Sequence, residues 1–179
     1  MQLHPTRSRM AWINLIGGIA VLGSYAWELA RHPLIRDQLW GGVPEWLKPA
    51  YTASMLSAAV GYLVFTSYLF FRIDPERSRI GTRDFAWFNS LYIAILLPSA
   101  LWMPLTFRMI EQPDGILWLG IRLVLATVGL GSLGMIAALL RLTPRGGTVF
   151  HWAAVIGSIA FAIQTALLDA LVWPAFFGL

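Results

Sequence analysis

Five apolar runs dominate this sequence of 179 residues, and each is long enough to cross a lipid bilayer. About 20 apolar residues in a helix span a hydrocarbon core about 30 Å thick. The runs cover residues 10–30, 50–71, 86–107, 115–141 and 149–174. The sequence therefore predicts an all-α integral membrane protein, with residues 1–179 forming a single bundle of five transmembrane helices.

The composition agrees with a membrane protein. Hydrophobic residues make up 58% of the chain and charged residues 12%, whereas soluble domains carry about 25% charged residues. The chain has no cysteine, which excludes a disulfide framework, a thiolate ligand and a cysteine nucleophile.

The first run begins after His4, Arg7 and Arg9, an arrangement that resembles a signal peptide. However, an apolar run this long exceeds a typical signal-peptide core, and Trp12 and Trp27 bracket it like interfacial anchors. We therefore expect a retained first span.

The connections differ in character. Residues 31–49 are rich in proline and glycine and contain Trp40 and Trp46, which predicts a long, partly ordered surface loop that could act as a lid. Residues 72–85 form a short charged linker, and the remaining connections carry the Pro and Gly signals of tight turns.

The basic residues are divided unequally between the two sides of the predicted bundle. Eight lie on one side (Arg7, Arg9, Arg72, Arg77, Arg79, Arg83, Arg141, Arg145) and four on the other (Arg31, Arg36, Lys48, Arg108). The positive-inside rule then places the N-terminus in the cytoplasm and the C-terminus outside. Because the basic residues occupy short loops between spans, we expect no nucleic-acid partner.

Small residues recur in three of the spans, where they let helix backbones approach closely. They are Gly17, Gly18 and Gly23; Ala126, Gly129, Gly131 and Gly134; and Ala162, Ala166 and Ala170. Packing within one chain explains such faces, and a homodimer interface is the alternative.

Asp169 is a carboxylate about one turn from the end of the fifth span. An aspartate at the centre of a membrane helix costs about 2.5–3.5 kcal/mol, so it usually faces a partner, a cavity or water. From helix rise, Arg122 lies about 10 Å and Asp169 about 6 Å below the same end of the bundle, and Glu28 falls in the same layer. We expect either a structural Arg122–Asp169 ion pair or the polar floor of a ligand pocket.

Aromatic side chains collect in this same half of the bundle. They are Trp27, Trp40, Trp46, Trp102, Phe107, Trp118 and Trp173. An interfacial belt explains many of them, but apolar walls above a few buried polar groups are also typical of a small-molecule site. Gln164 is interpreted as an interhelical hydrogen-bonding residue and His151 as an interfacial histidine. The three histidines are too scattered to predict a metal site, and no nucleophile or acid–base motif stands out.

Two segments resemble the TspO/MBR family of tryptophan-rich sensory and translocator proteins. Residues 168–173 (Leu-Asp-Ala-Leu-Val-Trp) are similar to the Leu-Asn-x-x-x-Trp stretch that ends the family's last helix, and residues 99–107 are similar to its Asn-x-x-Trp-Ser-x-Leu-Phe-Phe. Five spans and a long first loop rich in Trp and Pro match as well. The chain departs from the family at Ser99 and Asp169, where the family tends to have Asn, and in its reduced Val43-Pro44-Glu45-Trp46 element.

The resemblance implies that the chain binds a flat hydrophobic ligand between the helices and beneath the first loop. Family members bind porphyrins and sterol-like molecules and are often dimers. By position, Trp102 and Asp169 would line the pocket and Trp46 would lie above it. A bound tetrapyrrole such as protoporphyrin or haem, or a sterol-like molecule, is the expected ligand, and no cofactor is required.

The residues expected at the ligand site are therefore Trp27, Trp46, Trp102, Phe107, Arg122, Asp169 and Trp173. Two alternatives stay open: a small accessory subunit of a larger membrane complex, and a small transporter that uses Arg122 and Asp169 as a coupling pair. An enzyme is not predicted, although light- or oxygen-dependent turnover of a tetrapyrrole stays open.

Overall fold

The computed structural model describes residues 5–177, and most of them lie in long helices. These are α1 (Pro5–Arg31), α2 (Lys48–Phe71), α3 (Trp87–Glu111), α4 (Gly115–Leu140) and α5 (Thr148–Ala162); a π-helix (Ile163–Val172) and a short α6 (Trp173–Phe176) continue α5. Five helical segments, the last running from Thr148 to Phe176, are long and apolar enough to cross a membrane. The predicted fold class is confirmed: the chain is an all-α, multi-pass integral membrane protein.

The observed helix bounds follow the apolar runs, with differences at the ends. α3 continues past its predicted end at residue 107 to Glu111, although Pro98 and Pro104 lie inside it. α4 begins where the turn signal predicts, because the Asp114 side chain accepts a hydrogen bond of 2.8 Å from the Leu117 N–H. A carboxylate at this position satisfies one of the free N–H groups of the first turn.

The helices pack in the order α2–α5–α4–α3–α1 around the bundle. A hydrogen bond from the Tyr62 hydroxyl to Asn14 Oδ1 joins the two helices at the ends of this order, α2 and α1. These two helices approach each other less closely than the four packed pairs do. α1 is the most peripheral span, with most of its side chains exposed.

Small residues sit at the closest helix contacts; Gly129 and Ala166 were among the predicted positions, whereas Gly61 and Gly157 were not. A Cβ added to Gly61 of α2 would lie 2.2 Å from the Gly157 carbonyl oxygen of α5, and one added to Gly129 would lie 3.0 Å from the Ala166 Cα. Gly18 and Gly23, by contrast, have no atom within 4 Å of an added Cβ. Gly61, Gly129 and Gly157 therefore serve packing within the chain, whereas Ala126 of α4 is exposed.

The two ends of the bundle have different structures. At one end, which we call the arginine end, residues 72–86 and 141–147 connect the helices. Their short strands β1 (Arg79–Ile80), β2 (Arg83–Asp84) and β3 (Leu142–Thr143) form an antiparallel sheet in the order β2-β1-β3. At the other end, the first-loop end, residues 32–47 connect α1 to α2. Within this loop, Arg36–Trp40 forms a 3₁₀-helix.

Two clusters of buried side chains fill the bundle. The larger occupies its middle and the arginine end. The smaller, at the first-loop end, combines buried Tyr51, Ile121 and Trp173 with partly buried Trp102 and Trp118. This second cluster surrounds the predicted site.

Candidate functional site

Three tryptophans and a phenylalanine form the aromatic wall at the first-loop end. The Trp173 ring centroid lies 5.9 Å from that of Trp102, 6.0 Å from Trp118 and 4.4 Å from Phe177. Trp118 and Phe177 are stacked at 5.5 Å. Edge and offset contacts of this kind stabilise by about 0.5–1.5 kcal/mol each beyond the area they bury. The wall is therefore rigid and largely apolar.

Asp169 lies beside this wall on the π-helix, and its geometry depends on that helix. In an α-helix, which turns about 100° per residue, side chains five positions apart point about 140° away from each other. The wider i→i+5 turn of a π-helix brings them closer together. Gln164 Nε2 accordingly donates a 2.8 Å hydrogen bond to Asp169 Oδ1. Gln164 was expected to bond between helices; its bond is instead within the fifth span.

Two tyrosines from other helices face the same carboxylate. Tyr25 of α1 and Tyr51 of α2 both lie close enough to Asp169 to feel its charge. The Tyr51 hydroxyl donates to the Leu168 carbonyl at 2.9 Å, and the Tyr25 ring lies 5.7 Å from that of Trp102. Asp169 itself is half-buried. Side chains from α1, α2, α3 and the π-helix thus meet at one point.

Two polar atoms at this point are buried without a partner in the described part of the chain. They are the Trp102 indole Nε1 and the Gln164 Oε1. The first is a hydrogen-bond donor and the second an acceptor. A buried polar group left unpaired costs about 1–3 kcal/mol. The site can therefore offer one donor and one acceptor, in addition to Asp169, to a molecule that enters it.

The first loop covers this end of the bundle and is fastened to it. Trp173 Nε1 donates to the Leu39 carbonyl at 2.8 Å, and the Gly42 N–H donates to the Phe176 carbonyl at 2.7 Å. A Cβ on Gly42 would lie 2.9 Å from the same carbonyl oxygen, so only glycine permits this approach. Trp40 packs edge-on against Tyr51 at 6.1 Å. The loop is ordered and lies over the cluster.

The structure brings together some of the predicted site residues. Trp102, Asp169 and Trp173 meet as described, whereas Phe107 is buried but lies against His32 outside this cluster. Trp27 and Trp46 are 65% and 78% exposed and do not join the cluster. In place of Trp46, the loop residue that packs against the cluster is Trp40.

The predicted Arg122–Asp169 ion pair is not formed. Ile121 and Leu125 are the buried residues of this part of α4, and Arg122, one position from Ile121, is turned about 100° away from it. Arg122 is exposed, with its guanidinium 6.0 Å from the Trp118 ring centroid. The ion pair was predicted from depth along the helix, and depth does not determine which face of the helix a side chain occupies.

A separate cleft of about 530 Å³ opens beside the site, between the ends of α1 and α3. His32 lies in it with Nδ1 3.2 Å from a Glu28 carboxylate oxygen and Nε2 3.1 Å from Glu111. Its ring stacks on Phe107 at 4.4 Å. Both imidazole nitrogens are thus occupied by carboxylates. Glu28 belongs to this cleft and not to the Asp169 cluster.

Sequence reasoning missed Tyr25, Tyr51 and Trp40 as members of the site. Tyr25 lies one turn before the end of its span and Tyr51 at the start of the next, so their depth was available as a signal. What the sequence lacked was the helix order, which decides that both face Asp169.

Comparisons with known proteins give no assignment: no family model, curated protein or solved structure matches the chain. The resemblance of segments 99–107 and 168–173 to the TspO/MBR family therefore stays a prediction. Among residues 5–177, no group of three or more His, Asp or Glu side chains is placed to hold a metal ion.

Proposed function

We propose that this protein is a membrane receptor or binding protein for a flat hydrophobic molecule, a tetrapyrrole or a sterol-like compound. The ligand would lie between the helices beneath the first loop, against Trp102 and Asp169. The observation that carries the proposal is the pair of buried, unpartnered polar atoms, Trp102 Nε1 and Gln164 Oε1, beside a half-buried carboxylate.

The composition of the site favours a small molecule with a polar edge. Small-molecule sites are mostly apolar and contain few, fixed polar groups. Here the apolar part is the wall formed by Trp102, Trp118 and Trp173. Flat rings stack well on such a wall, and a polar edge group can pair with the free donor and acceptor.

The resemblance to the TspO/MBR family supports the same ligand class. Trp102 and Asp169 stand at the two positions where the resemblance is closest, and both lie in the cluster. Asp169 replaces the family's Asn with a carboxylate, which favours ligands that present N–H or O–H donors. The pyrrole N–H groups of a metal-free porphyrin and the hydroxyl of a sterol both satisfy this condition.

Of the two alternatives, the transporter loses its main support. That interpretation depended on an Arg122–Asp169 coupling pair, and the two side chains do not meet. The accessory-subunit interpretation has no specific contact in its favour.

The proposal is tested by titrating the purified protein with protoporphyrin IX, haem and cholesterol. Binding is followed for the porphyrins by their own absorbance or fluorescence, so that removing a tryptophan does not remove the reporter. Trp102→Ala should weaken binding by several-fold to tenfold or more, because stacking and a hydrogen bond are lost together. Trp12→Ala, exposed near the arginine end, is the matched control and should leave the affinity unchanged.

The outcome that contradicts the proposal is equally specific. If none of the three ligands binds at micromolar concentration, or if both variants bind like the parent protein, the pocket does not exist at this place. The accessory-subunit interpretation would then become the leading one.

A further inference from the structure

A groove of about 460 Å³ runs along the outside of the bundle between α2 and α5. Its lining is mainly apolar and comes from Val60, Leu63, Val64, Phe71, Phe150 and Ala153. The groove starts beside the Gly61–Gly157 contact, where the two helix backbones touch. From there it leads toward the arginine end, away from the site proposed above.

The length of the groove matches the depth of one bilayer leaflet. From Val60 to Arg72 the helix rises about 18 Å, and half of a typical hydrocarbon core is about 15 Å. Because this surface lies on a membrane span, the molecules that reach it first are the lipids of the bilayer. A chain lying in the groove would extend from the bilayer centre to the headgroup region.

Arg72 lines the mouth of the groove, and Arg145 lies in the connection that packs beside it. The Arg72 guanidinium lies 3.9 Å from the Phe150 ring centroid, which fixes it over the start of α5. The following connection packs on its backbone, since a Cβ on Gly146 would lie 2.3 Å from the Arg72 carbonyl oxygen. Arg145 directly precedes Gly146, whose N–H donates to the hydroxyl of the groove residue Tyr68. Both arginines are exposed, and no carboxylate forms an ion pair with either within residues 5–177.

Two uncharged polar side chains, Ser67 and Tyr68, also line the groove, and the fold already uses the Tyr68 hydroxyl. The Tyr68 hydroxyl accepts a hydrogen bond from the Gly146 N–H at 3.1 Å and lies 3.2 Å from His151 Nδ1. Val64, Tyr68 and Arg72 have the spacing of a proposed sterol-contact pattern. With its hydroxyl engaged internally, Tyr68 has little to offer a sterol. The groups that remain available at the mouth to bind a polar headgroup are therefore the positively charged side chains of Arg72 and Arg145.

We propose that this groove binds an anionic phospholipid of the surrounding bilayer. One acyl chain lies between α2 and α5, and the phosphate is held by Arg72 and Arg145. Guanidinium groups are weakly hydrated and match phosphate with paired hydrogen bonds. The acyl chain adds apolar contact that a free phosphate ion lacks. The inference is independent of the proposed function, because the groove lies at the opposite end of the bundle.

The test measures lipid selectivity by electron paramagnetic resonance in phosphatidylcholine vesicles that contain the protein. Spin-labelled phosphatidylglycerol and spin-labelled phosphatidylcholine with the same acyl chains are compared for the fraction that the protein immobilises. The parent protein should prefer phosphatidylglycerol. Arg72→Gln with Arg145→Gln should lower that preference by about fivefold or more, since each basic residue near an anionic membrane surface contributes about this factor.

Two further variants distinguish a specific lipid-binding site from nonspecific electrostatic attraction of anionic lipids. Arg9→Gln with Arg77→Gln removes the same charge from the same end but not from the groove, and should keep most of the preference. Ala153→Phe fills the groove without changing any charge and should reduce the immobilised phosphatidylglycerol. It also tests the proposal if the double arginine variant fails to fold.

Three results would overturn the proposal. They are no preference for phosphatidylglycerol in the parent protein, an equal loss in both double arginine variants, and unchanged binding in Ala153→Phe. The second would show that the arginine end attracts anionic lipids only through its total charge.

Discussion

At the residue scale, Asp169 is held by a hydrogen bond within its own helix, without a basic partner. Gln164 donates to it along the π-helix, and the Tyr25 and Tyr51 side chains lie within range of its charge. Arg122, the basic residue at similar depth, points outward instead. No basic side chain among residues 5–177 pairs with this carboxyl group, which leaves it available to a ligand.

This arrangement predicts which residue couples to Asp169. Removing Gln164 (Gln164→Ala) should cost about 1–3 kcal/mol, because the Asp169 carboxyl group loses its hydrogen-bond partner. A double-mutant cycle with Asp169→Asn should show a clear coupling energy for Gln164 and almost none for Arg122→Gln. Reversible unfolding in detergent measures these free energies. Strong coupling between Arg122 and Asp169 would instead show that the two side chains form an ion pair.

At the scale of the elements, α2 and α5 make the closest helix–helix contact of the bundle. Gly61→Ala should destabilise the protein by about 1–3 kcal/mol, the usual cost of overpacking, because the added Cβ meets the Gly157 backbone at 2.2 Å. Gly18→Ala is the matched control, since nothing lies within 4 Å of its Cβ. It should be neutral or stabilise by up to about 1 kcal/mol through helix propensity. Equal effects in thermal unfolding would contradict this packing.

The first loop is the second element with a testable role. It is fastened to the end of the fifth span and places Trp40 against Tyr51. Trp40→Ala should therefore speed ligand release, because a loop that covers a site controls the rate at which the ligand leaves more than it contributes binding contacts. Trp46→Ala, whose side chain is exposed, should leave the rate unchanged. Stopped-flow displacement of protoporphyrin measures both rates, and a larger effect at Trp46 would show that the cover acts through the outer part of the loop.

At the scale of the whole molecule, the apolar runs predicted the five spans because length and hydrophobicity alone decide whether a helix can cross a bilayer. The three short strands were missed, since strands of two residues carry no periodic pattern. The π-helix was missed because the widened turn depends on what the fifth span packs against. The positions of Trp102, Asp169 and Trp173 along their helices placed them in the same half of the bundle, and this predicted part of the cluster that they form.

The remaining site residues could be predicted only with knowledge of which helices pack against each other. Arg122 and Trp27 share the depth of the site but face outward, whereas Tyr25 and Tyr51 share the depth and face inward. A single sequence gives the distance of a side chain from the helix end but not the neighbour that its face meets. For this reason the predicted set of site residues includes side chains that face outward and omits Tyr25 and Tyr51.

The orientation of the molecule in the membrane stays a prediction with its own test. The eight-to-four division of basic residues places the arginine end in the cytoplasm. Reporter fusions at Pro144 should be cytoplasmic, and fusions after Leu179 should be external. The reverse pattern would show that the protein has the opposite orientation in the membrane. The geometry of the site would be unchanged, since it depends only on the helix packing.

The central claim is that a ligand pairs with the buried indole N–H of Trp102. Nuclear magnetic resonance of the protein with ¹⁵N-labelled tryptophan reads this group directly, and loss of its signal in Trp102→Phe assigns it. On adding protoporphyrin IX, the Trp102 indole signal should move, because its proton gains an acceptor and the porphyrin ring lies against it, while the Trp12 signal stays in place. A Trp102 signal that does not move at saturating ligand, or one that moves no more than that of Trp12, would contradict the account.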